Sequence, residues 1–82
     1  MTQADRIRRY AHDNYIFMAR VAGSTKISIC CGDVHRKMGL INSQPAVCSA
    51  LRSKRFEKHY RVQRITSSGP REGATTTFVF LV

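Results

Sequence analysis

Cysteine, histidine and the carboxylates are the side chains here that could serve covalent or metal chemistry. The thiols are Cys30, Cys31 and Cys48, the imidazoles are His12, His35 and His59, and Asp and Glu together number only five. A tetrahedral zinc site is built from ligand pairs at short fixed spacing, of the CxxC or HxxxH kind. Here two cysteines are adjacent, Cys31 and His35 stand four apart, and the others are scattered. No metal-ligand set and no cofactor is therefore expected. No serine sits in a nucleophile elbow, no glycine-rich loop is placed to cradle a phosphate, and no two acids pair to hold a catalytic metal. The residues point away from an enzyme and away from a small-molecule substrate.

Charge speaks more clearly. Fourteen Lys and Arg against five Asp and Glu give a formal net charge of +9 and a pI near 10.4. Solubility in a small domain needs a net charge of only about 2 to 8. A larger excess opposes compaction by self-repulsion and points to a polyanionic partner. Ten of the fourteen cations are Arg, whose planar fork suits phosphates and guanine edges. The densest group is Arg52, Lys54, Arg55 and Lys58, extended by Arg61 and Arg64, with Arg71 further on beside Pro70. Arg6, Arg8 and Arg9, with Arg36 and Lys37, form a second group that either touches flanking backbone or is simply solvated.

The elements that must position these groups fit one domain in 82 residues. Ala4, Ile7, Ala11, Tyr15, Met18 and Ala22 recur in steps of three and four, which predicts a helix over 2–22. Thr2 and Asp5 form a capping-box pair at its start, Gly23 stops it, and a weak point falls at His12-Asp13-Asn14. Lys26 to Cys30 alternates as a strand, closed by Gly32. A short helix follows over 33–38, with Gly39 and Leu40 as a left-handed cap. Ser43 or Gln44 caps the next helix, 44–55, which has Pro45 in its first turn. Val47, Cys48, Ala50 and Leu51 share its inner face, while Ala46, Ser49 and Ser53 project outward.

Strands are expected over 60–66 and 75–82, joined by a loop over 67–74. Val62 and Ile65 have opposite parity, so the first of these strands needs a bulge. Phe78, Phe80 and Val82 share the core face of the second.

The tract from Gly32 to Leu40 followed by Gln44 to Arg52, set between a leading helix and strand and a trailing hairpin, resembles the winged helix-turn-helix superfamily of DNA-binding domains. The resemblance spans about Asp5 to Val82 and implies an α+β fold of three helices with a small antiparallel sheet ending in a β-hairpin wing. It implies that the 44–55 helix lies in the major groove, with Asn42, Ser43, Gln44 and Ser49 near bases. Ser53, with Ala46 and Ser49, belongs to the small face that lets this helix approach the groove floor. Arg52, Lys54, Arg55, Lys58, Arg61 and Arg64 would then meet phosphates, and Arg71 would lie in the minor groove. Double-stranded DNA is the expected partner, in transcription regulation or as a nucleoid protein. A protein-interaction module docking an acidic partner, or an RNA binder, remains the alternative, and a homodimer or larger assembly stays open. No apolar run approaches the roughly 18 residues of a membrane span, the residues after Met1 lack the apolar core of a signal peptide, and three cysteines make no disulfide framework. A cytoplasmic chain is expected, nuclear if eukaryotic.

Overall fold

The computed structural model describes all 82 residues. It begins with a continuous rod made of α1 (Gln3–Ala11), a π-helical turn (His12–Ile16) and α2 (Phe17–Val21). Thr2 starts it as expected: its hydroxyl accepts from the Asp5 N–H, and the Asp5 carboxylate accepts from the Thr2 N–H. The weak point at His12-Asp13-Asn14 is not a break but the π turn, and it changes which side chains face inward. Ile7, Ala11, Ile16 and Ala19 are buried, so the step from Ala11 to Ile16 is five residues, the π period. Tyr15 and Met18, expected inside, are displaced by one position. Tyr15 is half-buried, while Phe17, Met18 and Val21 stand in solvent. The Asn14 side-chain amide donates to the Tyr10 carbonyl at 3.0 Å, satisfying an acceptor in the turn just before the π segment.

After Gly23, which takes φ 77°, come β1 (Lys26–Cys30) and α3 (Cys31–Lys37). Gly32 does not close the strand; it lies inside α3, where a Cβ would strike the Ala74 carbonyl. That carbonyl also accepts from the Gly32 N–H at 3.1 Å. α3 ends as expected: Gly39 has φ 68°, and the Gly39 and Leu40 N–H groups return to the carbonyls of Arg36 and His35.

The expected 44–55 helix is two helices. α4 (Gln44–Arg52) stops at Ser53, whose backbone turns extended, and α5 (Lys54–Tyr60) begins there. The Ser53 hydroxyl accepts from the Phe56 N–H at 3.3 Å, so a residue expected on the outer helix face is an N-cap. Phe56 and Tyr60, one turn apart, then pack inward, with Phe56 fully buried. This helix occupies the start of the predicted 60–66 strand, and Arg61 closes it in the left-handed region at φ 56°.

The remaining strands are β2 (Gln63–Ser68) and β3 (Thr77–Leu81), so the connecting loop runs over 69–76. The sheet is antiparallel in the order β1-β3-β2. The bulge predicted from Val62 and Ile65 lies between Arg64 and Thr66; Ile65 is partly exposed and Val62 is buried. Phe78 and Phe80 face inward against Phe56, Ile29, Val47 and Leu51. The whole is a compact α+β body of four helices, counting the rod as one, with a small three-stranded sheet. No helix is long and apolar enough to cross a membrane.

Candidate nucleic-acid interface

The turn before α4 is built by an imidazole. The Ser43 N–H donates to His35 Nε2 at 3.1 Å, while the Ser43 hydroxyl donates to the Ile41 carbonyl instead of capping the helix. Asn42, at φ 51°, is exposed. Asn tolerates this conformation better than most residues with a side chain. Ser43 and Gln44 are half-buried, and the Gln44 Oε1 is buried with no partner. On the outer side of α4, Pro45 and Ser49 are exposed, whereas Ala46 packs against the core. Of the residues expected at bases, Asn42 and Ser49 are the two that reach solvent freely.

Arg52 is committed within the protein. Its Nη1 donates to the Arg71 carbonyl at 3.0 Å, and its Nη2 lies 4.0 Å from Glu72. It therefore holds the hairpin loop against the end of α4 and brings Arg71 to that end of the molecule. Thr76, buried inside the loop, accepts from the Gly73 N–H and donates to the Pro70 carbonyl, so the loop is folded on itself. Its base is docked on the start of α3, where the Cys31 and Gly32 N–H groups donate to the Thr76 and Ala74 carbonyls at 2.8 and 3.1 Å. The Cys30 Sγ at the end of β1 approaches the Ala74 carbonyl at 3.2 Å, and the Cys48 Sγ on α4 lies 3.9 Å from the Gly73 carbonyl. Cys31 and Cys48 are fully buried, and burial, with the neighbouring Cys48 thiol, pushes the Cys31 thiol far up.

On α5, Lys54, Arg55, Lys58 and His59 line one open hollow, with no acid among them. None of these four side chains forms a hydrogen bond or an ion pair. Arg61 and Arg64 do not line this hollow. The Arg61 carbonyl is held by Arg20, and Arg64 lies half-buried with its guanidinium 5.6 Å from the Phe78 ring centre. Its backbone N–H donates to Glu57 Oε1 at 3.0 Å.

Comparison with protein-family models, curated proteins and solved structures finds no match.

Arg20 belongs to no basic group in the sequence, yet it makes three hydrogen bonds: to the carbonyls of Tyr60 (2.9 Å), Arg61 (2.8 Å) and Val82 (3.2 Å). It ties α2 to the end of α5 and to the last strand. Nothing in its sequence neighbourhood signals this, because all its partners are backbone carbonyls about 40 to 60 positions away. The second basic group is dispersed. Arg8 is 8% exposed and paired with Asp5 at 2.9 Å, Arg36 is paired with Asp33 at 2.7 Å, and Arg9 reaches Asp13 at 3.8 Å. The Arg8 guanidinium, with the Thr2 bonds, holds the Asp5 carboxyl down to about 2. Tyr60, stacked on His12 at 4.5 Å, has its hydroxyl pushed up by burial and by the Asp13 carboxylate.

Proposed function

We propose that this chain is a winged-helix module that binds double-stranded DNA without catalysing a reaction. In this reading α5 and the hairpin loop lie on the phosphate backbone, and the start of α4, with Asn42 and Ser49, faces the bases. The observation that carries it is the hollow on α5, where Lys54, Arg55 and Lys58 stand together unpaired in a chain of net charge +9. Cations held on one face without acids to neutralise them favour a polyanion, whose binding releases condensed counterions. The fold supports the same reading through its order of helix, strand, helices and hairpin, and through a wing-like loop anchored by Arg52 beside α4. Duplex is favoured over single strands because Phe78 and Phe80 are buried, which leaves the sheet without rings for bases to stack on.

A labelled duplex titrated at several salt concentrations tests this. The logarithm of affinity should fall linearly with the logarithm of salt concentration. Lys54→Gln combined with Lys58→Gln should make that slope shallower by about 2, close to one unit for each phosphate no longer neutralised. Ser49→Ala should change sequence preference and leave the slope alone. An affinity indifferent to salt, or untouched by the double substitution, rules out α5 as the phosphate-binding face.

A further inference from the structure

We propose that the cleft between α1 and α5 is a second site, one that binds a phosphate group carried on a larger molecule. The cleft measures about 510 Å³ and is walled by Arg8 and Arg9 from α1 and by Arg55, His59 and Tyr60 from α5. A volume of this order is typical of sites that take whole small molecules rather than single ions.

The walls of the cleft hold more donors than acceptors. Two carboxylates, Asp5 and Asp13, also reach the cleft, and each is paired with an arginine of α1. Asp5 accepts from the Arg8 Nη2 and the Thr2 N–H, and Asp13 faces the His12 Nδ1 at 2.9 Å and the Arg9 Nε at 3.8 Å. The donors are not used up. Arg8 is more than nine-tenths buried and spends one of its N–H groups on Asp5, while Arg55 has no partner at all. The remaining Arg8 nitrogens are not buried, so its free N–H groups stay accessible where the side chain lines the cleft. The cleft therefore offers more donors than acceptors, and they come from three forks on two helices. Such a set matches the several acceptor oxygens of a phosphate better than the two of a carboxylate.

The phosphate has two sources, a free nucleotide or the backbone of a duplex lying on the adjoining α5 hollow, which shares Arg55 and His59 with the cleft. Protein labelled with nitrogen-15 in arginine should be titrated with inorganic phosphate, a nucleoside 5′-monophosphate and duplex DNA. Sodium chloride at matched ionic strength serves as the blank. The expected result is a saturable shift of the Arg8 Nε–H signal with phosphate, absent with chloride. Its half-saturation should rise about tenfold in Arg55→Gln, a loss of about 1.4 kcal/mol. Arg55 is exposed, so that variant leaves the fold intact. An Arg8 signal that stays still, follows chloride equally, or responds identically in Arg55→Gln overturns the proposal.

A monophosphate that binds more tightly than inorganic phosphate identifies the free nucleotide as the source. Displacement of phosphate by duplex identifies the backbone. Saturable phosphate binding without duplex binding would end the DNA reading and leave the cleft standing. Duplex binding with Arg8 silent would do the reverse.

Discussion

Single residues decide more of this structure than their types suggest, and Arg20 is the clearest case. Its guanidinium joins three backbone carbonyls that no other side chain reaches, two of them at the left-handed end of α5. Charge-assisted bonds of this kind are each worth more than neutral ones, though exposure lowers their yield. Arg20→Ala should cost about 2 kcal/mol in urea unfolding. Arg20→Lys should recover only part of that, because one ammonium cannot span three acceptors in a fork. Equal stability of Arg20→Ala and the parent would show that the clamp does not hold in solution. Asp5 makes a pH-dependent contribution of definite sign. Its folded carboxyl titrates near 2, below its ordinary value of 3.8. Ionised Asp5 thus favours the fold above about pH 4, and that contribution is lost as pH falls towards 2. Chemical denaturation at pH 5 and pH 2 should show a loss on acidification that is smaller in Asp5→Asn.

At the scale of elements, the division of one expected helix into α4 and α5 matters most. Ser53 brings it about: its hydroxyl caps α5 through the Phe56 N–H and also donates to the Ala50 carbonyl at 2.7 Å. Ser53→Ala removes both bonds and should destabilise the protein by about 1 kcal/mol, the usual worth of an N-cap. A loss near zero would mean that the burial of Phe56 alone sets the break. Much was legible in the sequence: the capping box at Thr2, β1, the Gly39 cap, the bulge near Ile65 and the inward Phe78 and Phe80 all follow from local pattern. α5 was not, because a helix of seven residues rich in Lys, Arg and His carries only Phe56 and Tyr60 as apolar markers. The π turn was legible as weakness but not as a shift of phase, since a helical period places Tyr15 rather than Ile16 inside. In the candidate site, the Lys54, Arg55 and Lys58 cluster was visible as a run of charge. The engagement of Arg52 with the loop was not, because its partners lie about 20 positions away.

For the molecule as a whole, its excess of charge should act in opposite directions on folding and on binding. Only five ion pairs occur, one of them a His–Asp contact and one at 4.0 Å, against a net charge of +9. Exposed pairs contribute about 0 to 1 kcal/mol each, so attraction does not offset the mutual repulsion of the unpaired cations. Salt at 0.1 M screens that repulsion between charges more than about 10 Å apart. The thermal midpoint of the free protein should therefore rise by a few degrees between low and moderate sodium chloride, where a chain held together by its ion pairs would lose stability. The same salt should weaken any duplex complex, so the stabilisation that DNA gives to the fold should shrink as the free protein gains. Thermal scans with and without duplex across one salt series measure both effects together. A midpoint that falls with salt in the free protein would mean that the ion pairs outweigh the repulsion, and would remove the physical reason for expecting a polyanion on this surface.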